Sequence, residues 1–173
     1  ALAAGRRALK VAAMSRVLSG NHLHPFMGMD LPWLLEQRAL TRRDHPFIVW
    51  VPFEGPAQRI GYGEFQQRVE RIAGGLWQRG VRRGERVLIH LDNCPEALLA
   101  WYACARLGAV AVTTNARAAG DELAYYAEHS EAVAGITQPR FAELVAKSGT
   151  GLKWLAVTLD DNGTPPAHPV ERG

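Results

Sequence analysis

Only two cysteines occur among the 173 residues, Cys94 and Cys104, ten positions apart. That spacing fits neither a CxxC redox or zinc motif nor a secreted disulfide framework, so a reducing compartment, the cytoplasm, is expected. No apolar run approaches the ~20 residues a membrane-spanning helix needs. No G-x-G-x-x-G and no P-loop pattern occurs, which disfavours, without excluding, a dinucleotide fold. Acidic residues are missing from the first 29 positions, which carry Arg6, Arg7, Lys10 and Arg16. Within a net charge of +3, that leaves the remainder at −1, an ordinary body with no sign of a nucleic-acid partner. Residues 1–20 resemble a mitochondrial presequence in composition. A surface helix, or residues upstream of a later start at Met14, Met27 or Met29, are the competing readings. His22 and His24 form an H-x-H with no third ligand nearby, so no metal site is expected.

What is present is the patterning of one soluble domain, which at this length buries roughly 68–70% of its unfolded surface. The stretch from Arg86 to Asn115 reads as strand, loop, helix, strand, the length of one right-handed βαβ crossover. Val87, Leu88, Ile89 and Leu91 form an apolar run suited to a parallel strand buried on both faces. Asp92 and Asn93 break it, Pro95 stands at a first helical position, and Gly108 is placed as a C-terminal cap. Upstream, a short helix is predicted over 31–40 with Asp30 as its cap, and a hairpin over 47–62 turning at Glu54-Gly55-Pro56. Tyr62 to Arg79 is the clearest amphipathic helix, with Phe65, Val69, Ile72, Ala73 and Leu76 on one stripe. Glu64 is spaced to return to the Gly61 amide as half a capping box. Downstream, helices over 121–129 and 139–147 alternate with strands over 132–137 and 153–159. The fold class expected is therefore α/β, a mostly parallel sheet with helices on both faces, preceded by a hairpin. The organisation predicted is a basic segment 1–29, an α/β subdomain 30–159 and a Pro/Gly-rich linker 160–173.

Few residues suggest chemistry on their own. Lys147-Ser-Gly-Thr-Gly151 looks like a phosphate cradle, but a helix precedes it and a strand follows, the reverse of a phosphate loop. It is read as a helix-to-strand turn. His90 lies inside the central strand and is read as a hydrogen-bonded core histidine. Arg117, just past the strand end at Asn115, could meet a phosphate, though a solvated loop arginine is the default for such a position. Glu96, Asp121 and Glu122 fall in first turns, where the helix dipole accounts for them.

In register, IGYGEFQQRVERIAGGLWQRGVRRGERVLIHLDNCPE and AWYACARLGAVAVTTNARAAGDELAYYAEHSEA resemble the start of the adenylate-forming superfamily, the AMP-forming acyl-CoA synthetases and their relatives. The family pattern there is a (T/S)-Y-x-E-L helix start, G-(V/L)-x-x-G-(D/E)-R-V, N-x-x-E, then (R/K)-x-G-A-V followed by N-P-R and E-L. The resemblance covers roughly Asp30 to Leu159 and is similar in wording to carnitine/crotonobetaine- and fatty-acid-type CoA ligases. Gly61, Ala116 and Ala119-Gly120 depart from the usual Thr/Ser, Pro and Thr/Ser-Pro. The resemblance implies the incomplete N-terminal domain of the adenylate-forming fold. It also implies ATP, Mg2+ and CoA for a complete ligase that joins a carboxylic acid to AMP and then to the CoA thiol. The family's phosphate loop ending in Pro-Lys, acyl pocket, ribose-binding Asp and C-terminal lysine would lie beyond Gly173. The isolated chain is thus expected to have no catalytic residue, no tightly bound cofactor and no adenylation activity. Arg117, with Asn115 beside it, matches a position near the CoA phosphates and is the candidate cofactor contact. Apolar surface left bare by the missing remainder would favour self-association. The alternatives are a stand-alone, non-catalytic α/β binding or interaction module, and a flavodoxin-like nucleotide binder.

Overall fold

A computed structural model describes residues 28–165. The basic N-terminal segment, with His22 and His24, lies outside the described residues, as does everything after Pro165. From Leu31 onward the chain forms one unit. Helix α1 (Leu31–Thr41) leads into a two-stranded antiparallel hairpin, β1 (Pro46–Trp50) and β2 (Gln58–Gly61). Then follow α2 (Tyr62–Gln78), β3 (Arg86–His90), α3 (Pro95–Leu107), β4 (Val110–Thr113), α4 (Gly120–His129), β5 (Ala134–Thr137), α5 (Pro139–Ser148) and β6 (Leu155–Val157). The last four strands make one sheet in the order β4-β3-β5-β6, every pair parallel.

That order decides where the helices go. The step from β3 to β4 moves one way along the sheet, whereas β4 to β5 to β6 moves the other way. Right-handed crossovers therefore place α3 on one face and α4 and α5 on the opposite one. Strand alternation sorts the core accordingly. Val87 and Ile89 pack with Leu76 of α2 and Ala100, Ala103 and Cys104 of α3. Leu88 packs with Leu123 of α4 and Phe141 and Val145 of α5. A third cluster ties the hairpin down: Phe65, fully buried, meets Phe47 at 4.8 Å and Tyr102 at 5.2 Å between ring centroids.

Local signals behave as their chemistry requires. Gly108 caps α3 in the left-handed region at φ 69°, and the Ala109 amide returns to Cys104 O at 2.9 Å. The Lys147–Gly151 stretch is a helix-to-strand turn between α5 and β6. The strand expected over 153–159 pairs only over three residues, because β6 is an edge held by β5 alone. One expectation is corrected. Glu64 does not return to the helix start; its carboxylate takes Arg68 at 2.5 Å. The Tyr62 and Gly63 amides are instead satisfied by His45 O at 3.2 Å and Arg43 O at 2.9 Å. That backbone also explains Gly61, where a Cβ would stand 2.9 Å from Arg43 O, leaving no room for the family's Thr or Ser. Among the described residues no helix is long and apolar enough to cross a membrane.

Candidate functional site

In open α/β sheets ligands gather at the carboxyl ends of the strands, where neighbouring strands send their connections to opposite faces. Here that point lies between β3 and β5, whose following helices are on opposite faces. The crevice is filled by the chain itself. Gln138, 1% exposed, accepts from the Asp92 amide at 2.8 Å and donates to Asp92 Oδ2 at 3.0 Å and Thr164 Oγ1 at 2.8 Å. Thr164 Oγ1 in turn donates to Asp92 Oδ2 at 2.8 Å, and the Arg140 guanidinium stands 3.5 Å from the same oxygen. Asp161 Oδ1 accepts from the Arg140 amide at 2.8 Å. Residues 160–165, neither helix nor strand, are thus strapped across the strand ends. At Gly163 the strap runs so close that a Cβ would fall 2.4 Å from Asn93 O, and its φ of +82° independently calls for glycine.

The open space is displaced to the other side of β3. A groove of about 490 Å³ lies among the β3–α3 loop, the β4–α4 loop, the end of the hairpin and the strap. Trp50 and Phe53 line it from the hairpin, Asn93 from the first loop, and Thr114, Asn115 and Arg117 from the second. The structure therefore brings both candidate site residues, Asn115 and Arg117, into one groove. Asn115 Oδ1 accepts from the Arg117 amide at 2.9 Å, and its carbonyl accepts from the Ala118 amide at 2.9 Å. With Ala118 buried beneath, this Asx turn sets the loop so that Arg117 is exposed at its crest. No carboxylate pairs with its guanidinium among the described residues. An exposed, unpaired arginine carried on a backbone set by this turn is suited to a phosphate.

His90 lies directly under this loop, fully buried as expected for a core histidine. Its Nδ1 meets Thr114 Oγ1 at 2.8 Å, and that hydroxyl reaches Ile89 O at 3.2 Å. Placing the hydroxyl proton on Ile89 O makes Nδ1–H the donor and leaves Nε2 as a bare acceptor. Among the described residues Nε2 has no hydrogen-bond partner. Burial, together with Arg140, holds the His90 pKa below its ordinary value against the opposing pull of Asp92. His90 is therefore neutral and structural. Both cysteines are free and buried, and burial pushes each thiol up to about 12, so neither is a nucleophile. Among the described residues no three His, Cys, Asp or Glu side chains converge to hold a metal ion.

The strap and the hairpin aromatics escaped the sequence reading. Asp92, Gln138 and Thr164 are far apart in the chain, and nothing in their spacing announces that they meet. Trp50 reads as one more apolar strand residue.

The AMP-binding enzyme family model matches residues 35–170. Crotonobetaine/carnitine–CoA ligase of Salmonella typhi is 28% identical over 141 residues, 82% of this chain and 25% of the relative. The same enzyme of Salmonella paratyphi C is 31% identical over 114 residues, 66% of this chain and 22% of the relative. The chain thus spans about a quarter of the length of the curated relatives it matches. Among solved structures, a Mycobacterium tuberculosis fatty acyl CoA synthetase superposes with a TM-score of 0.64 at 23% identity, covering 79% of this chain and 29% of that one. Coronafacic acid ligase from Pectobacterium brasiliense gives 0.66 at 24%, covering 73% and 25%. At such identities the structural likeness establishes the fold.

Proposed function

Because this chain belongs to the AMP-binding enzyme family, we propose that it is the front part of the N-terminal domain of an AMP-forming acyl-CoA ligase. In this reading the complete enzyme joins a carboxylic acid of carnitine-like or fatty type to AMP, the carboxylate displacing pyrophosphate from ATP. The CoA sulfur then takes the acyl group and AMP leaves. The names of the curated relatives support the carnitine-like class.

The observation that carries the role of this chain is the unpaired guanidinium of Arg117, a residue whose backbone is set at the crest of the Asn115 turn and which lines the groove. Arg117 receives a CoA phosphate, and Asn115 acts by holding the loop. ATP and Mg2+ would be bound by residues outside this chain, since its sequence carries no Ser/Thr/Gly-rich loop ending in Pro-Lys.

Two activities of the complete enzyme separate these statements. ATP–pyrophosphate exchange needs only the acid and ATP; thioester formation also needs CoA. Arg117→Ala should raise the KM for CoA about tenfold, the loss of one charge-assisted contact, and leave exchange unchanged. An unaltered KM removes Arg117 from the CoA site. Absence of exchange with carnitine-like and fatty acids alike in the complete enzyme removes the ligase assignment, and exchange by the 173-residue chain alone removes the assignment of ATP to the missing part.

A further inference from the structure

Opposite the loop of Arg117, the groove has a wall that neither the loop motifs nor the family pattern accounts for. Trp50 ends β1, half-buried, packed partly against the core on the α3 face and otherwise lining the groove. Its indole N–H donates to Asn162 Oδ1 at 3.1 Å. Asn162 Nδ2 donates onward to Glu96 Oε2 at 3.2 Å, in the first turn of α3. One amide of the strap thus fixes the indole to the strap and, through it, to α3. A two-stranded hairpin is by itself too weak to hold an aromatic ring in one orientation. Phe53, 51% exposed, continues the apolar wall beyond Trp50.

A large aromatic ring held at a groove wall, with a free guanidinium on a facing loop, matches a planar base attached to a phosphate. The indole N–H is already consumed by Asn162, so the ring brings no free donor to the groove and what it can offer a ligand is aromatic surface. Stacking of that kind tolerates the ring being exchanged for another aromatic but not for an aliphatic side chain.

We propose that Trp50 is the stacking platform for the purine of the nucleotide whose phosphate Arg117 receives. This rests on the assignment of Arg117 to the CoA phosphates and extends it to the base.

The test uses the complete enzyme, its ATP site filled by a saturating non-hydrolysable ATP analogue, and adenosine 3′,5′-bisphosphate, the nucleotide end of CoA, with inorganic phosphate as the base-free probe. Binding is measured by titration calorimetry, with far-UV circular dichroism confirming the fold of each variant. Trp50→Leu is expected to weaken the bisphosphate about tenfold, within the range of one base–aromatic stack. Trp50→Phe, which keeps an aromatic ring but loses the N–H bond to Asn162, falls between the unaltered protein and Trp50→Leu. Arg117→Ala weakens both probes, whereas Trp50→Leu leaves inorganic phosphate unchanged. Wild-type affinity for the bisphosphate in Trp50→Leu overturns the platform while leaving Arg117 in place. Wild-type affinity in Arg117→Ala, or no binding by the unaltered enzyme, overturns the assignment of Arg117 and the platform with it. Should Trp50→Leu fail to fold, magnetisation transfer from the adenine protons to an indole is measured in the unaltered enzyme. The indole is identified by its loss in Trp50→Phe, and no transfer at saturating bisphosphate overturns the proposal.

Discussion

At the scale of single residues, His90 is where burial most directly sets a chemical property. The ring is enclosed, edge-on to Phe141 at 4.5 Å between centroids, with only Nδ1 hydrogen-bonded. Its pKa is lowered in the folded protein, first by desolvation and then by Arg140, and is raised in part by Asp92. The unfolded chain therefore takes up a proton on His90 at a higher pH than the folded chain does. The stability that His90 contributes is fully present above the unfolded value of about 6.5 and is lost as pH falls below it. The urea midpoint should accordingly drop between pH 7.5 and 5.5, with a shallower drop in His90→Gln. Equal slopes in the two proteins would show that His90 is not the titrating group. Arg117 is the converse case: an exposed side chain whose backbone, not its burial, gives it a fixed place through the Asn115 turn.

At the scale of elements, helix boundaries followed local chemistry wherever the partner was near in sequence, as at Pro95 and Gly108 around α3. They departed from it where a distant backbone or side chain intervened. The start of α2 is satisfied by Arg43 and His45 rather than by Glu64, because the turn before the hairpin lies against it. The start of α5 is similar. Gln138 in the N-cap position makes no cap hydrogen bond with its side chain; Asp161 of the strap supplies one to the Arg140 amide. Asp161→Ala should therefore cost about 1 kcal/mol, the usual value of a cap. It should also accelerate hydrogen exchange at the Arg140 amide. Unchanged exchange there would show that the strap does not cap α5.

At the scale of the whole molecule, apolar side chains remain at the margins of the fold. Val157 is 45% exposed on the edge strand β6, Leu159 beyond it is fully exposed, and Val49, Val51 and Phe53 are exposed on the hairpin. Surface of this kind is expected where further structure packs. We expect the 173-residue chain to self-associate with rising concentration and to bind a hydrophobic dye. Analytical ultracentrifugation giving a clean monomer, with no dye enhancement, would favour a stand-alone binding module over part of a larger enzyme.

Apolar periodicity, Pro95 and Gly108 were enough to read the βαβ unit, the amphipathic α2 and the α/β class, because each depends on residues within one turn or one strand of each other. Motif order likewise sufficed to point to the family and to place Asn115 and Arg117 beside a strand end. What only the tertiary structure decided was which crevice is open. Strand order β4-β3-β5-β6 creates the switch point between β3 and β5, and residues 160–165 close it through Asp92, Gln138 and Thr164. Space is left instead between Arg117 and the hairpin aromatics Trp50 and Phe53. Together with the Trp50–Asn162 bond, those contacts join residues up to 112 positions apart. A hydrogen bond at that separation leaves no period or spacing in the sequence, since only the folded backbone brings its two ends together.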